Sequence, residues 1–316
     1  MKISVAMATY NGEKYILEQL DSLLNQTLDI DEVIICDDYS KDNTCQIIEK
    51  YIKKNRLEKR WILYKNNKNK GYANNFYTCM YKTSGDYVFF CDQDDIWNND
   101  KVEIMVNEMK RNKKIKMLAS DFDPYYYSED APKISSNILK KMKDNSTLEH
   151  IKLNRKTIFI GSEGCTMCIT REFLDKIEKY WFDGWAHDEY VWKLSLCMDG
   201  CYIIHKKTIK RRLHSNNVSK RKIHRMEERV IFLEKLLKSH EAMLKFAEEN
   251  NLSMNEIRLI KNNINSVRAR LSLLKEGKFK NIINSLKYIN YFYSKKSILV
   301  ETYLAINEKV MEKRNE

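Results

Sequence analysis

The segment "DQDD" sets carboxylates at Asp92, Asp94 and Asp95, and a second pair of acids, Asp188 and Glu189, stands in "WAHDEY". A cluster of carboxylate oxygens is what a hard divalent cation such as Mg²⁺ or Mn²⁺ takes as ligands. An acid set apart from that cluster suits another task, accepting a proton. Both stretches also have a plain structural use, because Asp at the entry of a helix is an ordinary cap. Three further polar clusters accompany them: "ATYN" with Thr9 and Tyr10, "CDDYS" with Asp37 and Asp38, and "NKGYANNF" with Asn69, Lys70 and Asn75. A basic run, "KKTIKRRLHSNNVSKRK", carries Arg211, Arg212, His214 and Asn217.

Such residues act together only if the chain brings them to one edge. The first hundred residues alternate strand and helix signals: "KISVAMATY", "DEVIICDDYS", "RWILYKNN" and "DYVFFCDQDD" are apolar runs ending in polar residues. Between them, "EKYILEQLDSLLNQT", "NTCQIIEKYIKKN" and "GYANNFYTCMYKTS" have apolar residues at helical spacing. That βαβαβαβ order predicts a parallel sheet covered on both faces. In open sheets of this kind ligands collect beyond the carboxyl ends of the strands, where "ATYN", "CDDYS", "NNKNKG" and "DQDD" fall. The carboxylates of "DQDD" then lie at a strand's exit rather than in its buried length. Gly71 is expected to permit a tight turn, and Asp95 to cap the helix that follows.

After residue 100 the pattern is mixed. "DKVEIMVNEMKRN", "REFLDKIEKYW" and "HDEYVWKLSLCMDG" read as helices, and "IKMLASDF", "IGSEGCTMCIT" and "GCYIIHKKTIKRRL" as strands. Residues 123–155, which hold both prolines, read as a polar loop. From about 224 onward, leucine and isoleucine recur at helical spacing. The expected organisation is a catalytic domain at 1–220, with a nucleotide-binding half at about 1–100 and an acceptor half at about 101–220, and a helical C-terminal region at 221–316.

Composition bounds the rest. With 43% hydrophobic and 32% charged residues but only 8 Gly and 2 Pro in 316 residues, the chain reads as globular rather than fibrous or linker-like. No run reaches the length of a membrane span, and "MKISVAMATY" lacks a signal-peptide core, so a cytosolic location is expected. Eight cysteines, most of them within apolar runs, are read as buried thiols; "CTMC" and "CMDGC" could hold zinc only as an outside reading. The net charge is +12, and residues 221–316 hold 20 Lys and Arg against 12 Asp and Glu. Anionic partners follow, whether nucleotide-sugars, lipid-linked pyrophosphates or anionic membrane. No nucleic-acid recognition motif accompanies the charge, so no specific nucleic acid is expected.

The ordered series "ATYNGEKYILEQLDSLLNQT", "VIICDDYSKDNT", "NKGYANNF", "SGDYVFFCDQDDIWNNDK", "GCTMCITREF", "WAHDEYVW" and "RRLHSNNVS" resembles the family 2 glycosyltransferases of the GT-A fold, in the bacterial surface-polysaccharide and rhamnosyltransferase-like branch. The likeness covers about the first 220 residues. It implies an α/β GT-A fold, a Rossmann-like and mostly parallel central sheet flanked by helices, with an α-helical C-terminal appendage. It also implies transfer of a hexose from a UDP- or dTDP-linked donor to a hydroxyl of a glycan or lipid-linked acceptor, with inversion.

By that resemblance Asp94 is a direct ligand of Mn²⁺ or Mg²⁺, with Asp92 as partner and His214 approaching the metal. Thr9, Tyr10 and Asp38 would hold the nucleoside, Asn69, Lys70 and Asn75 would stand beside the donor, and Arg212 would meet the diphosphate. Asp188 would be the catalytic base, while Trp185 stacks on a sugar and His187 orients the acceptor. The family usually has Tyr where this chain has Arg211. Two other readings compete: a sugar nucleotidylyltransferase, which would carry a Gly-rich basic loop after the first strand, and a non-catalytic nucleotide-sugar or glycan-binding module. The C-terminal "EGKFKNIINSLKYINYFYSKK" could lie on an anionic membrane, pack on the catalytic domain, or join copies in a homo-oligomer.

Overall fold

The computed structural model describes residues 1–215 and 225–315. Two compact units result: Met1–Lys152 with Ile160–Val218, and Leu153–Phe159 with Ser219–Glu316. The second takes in a short stretch, Leu153–Phe159, that the sequence alone assigns to the first.

In the first unit β1 (Ile3–Thr9), β2 (Glu32–Asp37), β3 (Trp61–Lys65) and β4 (Tyr87–Asp92) pair in parallel in the order β3-β2-β1-β4. The helices α1 (Ile16–Leu24), α2 (Thr44–Lys54) and α3 (Tyr72–Lys82) make the crossovers. Because helices cover both faces, β1, β2 and β4 are buried along nearly their whole length, which is why they read as unbroken apolar runs. Register then sets the chemistry: Thr9 pairs with Asp37 and Ala8 with Asp92, so the polar ends of three strands stand side by side.

Beyond β4 the sheet becomes mixed. The two-residue β5 (Ile96–Trp97) leads to α4 (Lys101–Arg111), β6 (Met117–Tyr126), the single turn α5 (Ser136–Leu139) and β7 (Thr147–His150). There follow β8 (Cys168–Thr170), α6 (Arg171–Ile177), α7 (His187–Cys197) and β9 (Cys201–Leu213). β8 lies antiparallel between β4 and β6, β6 and β9 run parallel through a register shift near Asp121, and β5 and β7 pair antiparallel with β9. Two sequence expectations change here. The strand expected over "IGSEGCTMCIT" shrinks to β8 behind a 3₁₀ turn at Gly164–Thr166, and the expected loop 123–155 contains the end of β6 together with α5 and β7.

The second unit packs α8 (Met226–Glu249), α9 (Met254–Glu276), α10 (Phe279–Lys287) and α11 (Ser297–Asn315). α9 begins in a reciprocal Ser253–Glu256 capping box and stops at Gly277 in the left-handed conformation. Leu233 and Leu236 meet Val267, Leu271 and Leu274, and Phe292, Ile298 and Ala305 close on Leu273. At its centre Glu301 is fully buried and takes Arg270 through both oxygens, at 2.6 to 3.2 Å, and Arg229 at 2.8 Å.

Candidate active site

The exits of β1 and β2 bring one group of the expected site residues together. Thr9 Oγ1 donates to Asp37 Oδ2 at 2.9 Å, and Asp37 also accepts from the Ser40 backbone N–H and hydroxyl. Asp38 is 2% exposed and its carboxylate is committed to the protein: Asn66 Nδ2 and the Lys70 N–H donate to Oδ1, and the Gly71 N–H to Oδ2 at 2.9 Å. The loop it organises turns at Gly71, whose φ of +82° a side chain would resist. Asn69 and Lys70 remain exposed on that loop. Asn75 differs from expectation. It is buried, donates to the Cys36 carbonyl at 2.7 Å and accepts from Asn66, so it ties α3 to β2 rather than facing a donor. Tyr10 is exposed, and its backbone exchanges two hydrogen bonds with the Gln93 amide, at 2.8 and 2.9 Å.

The "DQDD" acids separate into two settings. Asp92, at the end of β4, lies with Asp95 and the Cys165 thiol so that one ligand atom from each falls within 4.8 Å of the others. Burial, then the charges of Asp94 and Asp95, push the Asp92 carboxyl well above its ordinary range, and Arg211 opposes them. Burial likewise raises Asp95 to about 6. Asp95 does not cap the next helix. Its Oδ1 accepts the Arg212 N–H at 2.9 Å, and the N-cap position of α4 falls to Asp100. Among the described residues this trio is the group of close potential ligands, and no four-cysteine cluster forms.

Asp94 sits in the second setting. Its Oδ2 lies 2.8 Å from His214 Nε2, and its carbonyl accepts Arg212 Nε at 2.7 Å. The His214 ring is stacked on Tyr15 with centroids 4.8 Å apart. The contact is an N–H···O hydrogen bond from imidazole to carboxylate; both groups are ligand types a divalent cation takes, and a cation held there would replace the shared proton. Asn217, the last residue of the quoted motif, falls outside the described residues.

The two adjacent arginines diverge. Arg212 is 1% exposed, its guanidinium 5.1 Å from the Tyr15 ring and 5.0 Å from both Tyr125 and Tyr127, with Glu18 at 3.1 Å. Through its bond to the Asp94 carbonyl it holds the Asp94 loop in place. Arg211 pairs with Glu163 at 2.9 Å and places its charge by Asp92, Asp95 and Cys165. Successive strand residues point to opposite faces, so a one-position difference decides which arginine meets the acids.

Asp188 occupies the first turn of α7, half-buried, with Oδ1 accepting the Glu189 N–H at 2.7 Å. Burial raises its carboxyl to about 7, and its charge acts on Asp92. Glu189 turns away to Lys193 Nζ at 2.6 Å and to the Trp185 indole N–H at 3.2 Å. Trp185 and His187 correct the acceptor expectation. Trp185 is 2% exposed and stacks on Phe182, while His187 is 5% exposed, stacks on Phe76 at 3.8 Å and backs against Gly164. Burial drives the His187 imidazole down to about 3, so it is neutral and acts in packing.

A cavity of about 520 Å³, lined by Glu13, Lys14, Tyr15, Asp42, Tyr127 and Asp130 among others, borders this assembly through His214. Arg211, Glu163 and Cys165 were not singled out as site residues from sequence, although the extra basic residue before Arg212 was visible there.

Comparison with known proteins gives a consistent answer. Residues 4–175 match the family described as Glycosyl transferase family 2. The dTDP-rhamnosyl transferase RfbG of Shigella flexneri is 30% identical over 223 residues, which is 67% of this chain and 72% of that protein. The UDP-Glc:alpha-D-GlcNAc-diphosphoundecaprenol beta-1,3-glucosyltransferase WfaP of Escherichia coli is 34% identical over 128 residues, covering 40% of this chain and 47% of its own length. The crystal structure of Staphylococcus aureus TarS 1-349 in complex with UDP-GlcNAc superposes over 99% of this chain and 92% of its own, with TM-score 0.62 at 17% identity.

Proposed function

The chain belongs to glycosyl transferase family 2, and on that premise we propose that it moves a hexose from a UDP- or dTDP-linked donor to a hydroxyl of a glycan or lipid-linked acceptor, with inversion, in bacterial surface-polysaccharide synthesis. The observation that carries the reading is Asp188, a half-buried carboxyl held near neutrality within electrostatic reach of Asp92. A base with that affinity for protons is matched to work near pH 7. The acceptor hydroxyl gives its proton to Asp188 as its oxygen forms the new bond at the anomeric carbon. The bond from that carbon to the β-phosphate oxygen breaks, and the nucleoside diphosphate leaves with the electron pair.

Thr9, Asp37 and Asp38 shape the nucleoside end, and Asp38 does so by fixing the loop that presents Asn69 and Lys70. The cation, Mn²⁺ or Mg²⁺, would rest on Asp94 and His214 with Asp92 behind them, and when bound it offsets charge on the departing diphosphate. Arg211 adds a fixed positive charge beside Asp92 and Asp95. The names of the rhamnosyl and glucosyl transferase relatives support a dTDP- or UDP-sugar donor, and the second of them supports a diphospholipid acceptor.

No helix among the described residues is long and apolar enough to cross a membrane. On the proposed reading the enzyme works from the cytoplasm at the inner face of the plasma membrane. A thermal-shift panel of nucleotide-sugars with and without Mn²⁺, followed by diphosphate release with acceptor present, tests the function. Stabilisation by one donor without any turnover would leave only the binding-module reading.

A further inference from the structure

We propose that the outer ridge of α10 docks onto an anionic phospholipid bilayer. The proposal rests on the lipid-linked acceptor for its biological purpose, and on the second unit alone for its physics. α10 wears its amphipathicity inside out. Asn281 and Ser285 are 5% and 0% exposed, with Asn281 Nδ2 donating to the Ser272 carbonyl at 2.9 Å. Phe279, Ile283 and Leu286, spaced as one helical stripe, are 75%, 48% and 45% exposed. α11 repeats the arrangement with Leu299, Tyr303 and Ile306 at 71%, 65% and 52%. A helix on a water-facing surface has the reverse pattern, and apolar stripes left in water mark a surface that is covered in use.

Charge selects the cover. Between residues 277 and 307 the sequence holds Lys278, Lys280, Lys287, Lys295 and Lys296 and a single acid, Glu301, which is buried and already paired with Arg229 and Arg270. Lys278 has Glu276 at 3.5 Å. The other four are exposed, with no carboxylate at ion-pairing distance among the described residues. A second copy of the chain docked ridge to ridge would bring like charges face to face. A layer of anionic headgroups neutralises them while the acyl boundary takes Phe279, Ile283 and Leu286, and exposed tyrosines such as Tyr293 suit the headgroup level.

The test uses the full chain and vesicles of phosphatidylcholine, alone or mixed with phosphatidylglycerol, at low and high salt. Binding to the mixed vesicles is expected, weakening with salt and by about fivefold for each of Lys280 and Lys287 changed to Gln. Ile283→Asp should abolish it while leaving the circular dichroism spectrum and melting temperature unchanged. A Phe279→Trp variant should show excess blue-shifted emission with mixed vesicles only. Emission that does not move, equal binding to both vesicle types, or a concentration-dependent dimer that Ile283→Asp dissolves would each overturn the proposal. Donor binding in solution reads out separately: its loss with vesicle binding intact sinks the transferase reading and not the docking, and the converse holds.

Discussion

His214 Nε2 and Asp94 Oδ2, 120 positions apart in sequence, stand 2.8 Å from each other. β9 delivers the histidine and the loop after β4 delivers the carboxylate, so neither element alone makes the pair. A cation bridging them would tie the end of β9 to the exit of β4.

If that pair holds the metal, Asp94→Asn and His214→Ala should each weaken Mn²⁺ binding by about tenfold or more, measured by calorimetry in the presence of UDP. Unchanged Mn²⁺ affinity in both would move the metal to Asp92, Asp95 and Cys165.

Asp188→Asn should cut transfer by about 10²- to 10⁴-fold with donor affinity near normal. The parent's rate should climb with pH through about 7, because the base works only once its raised carboxyl has lost its proton. The same shift has a stability sign. The unfolded carboxyl ionises near its ordinary value while the folded one keeps its proton, so folding is penalised as pH rises toward 7. Thermal melts of Asp188→Asn should therefore lie closest to the parent in acid and above it in neutral buffer.

Asp38→Ala strips the acceptor from three donors on the Asn66–Gly71 loop. Lost hydrogen bonds to a charged acceptor predict a stability decrease of about 1.5–3 kcal/mol by urea titration, together with weaker donor binding. Donor affinity reduced with stability intact would instead assign Asp38 direct contact with the base.

Glu301→Gln leaves two arginine side chains facing a neutral amide in the buried centre of the second unit. Breaking a buried pair from one side costs about 3–5 kcal/mol, read as a lower denaturation midpoint. Replacing Glu301 and Arg270 together by Leu and Met should recover part of that loss.

The sequence carried the strand order and the polar exits because apolar runs between helical periods admit few arrangements. It did not carry side-chain direction. α7 is buried almost all round, so no periodicity marked an inward face, and the stacking of His187 on Phe76, like that of Trp185 on Phe182 just before the helix, was not legible in the sequence. Asn75 failed for a related reason: an amide suited to a sugar is equally suited to a strand carbonyl. Arg211 and Arg212 were separable only by knowing the parity of β9.

That parity has a mechanical side. With one guanidinium committed to each surface of β9, the strand behaves like a keyed shaft that seats in a single rotational setting. Adding one residue between Cys201 and Arg211 would carry Arg211 into the tyrosine cage and set Lys210 beside the acids, whereas deleting one would bring Arg212 to the acids and leave Leu213 for the three tyrosines.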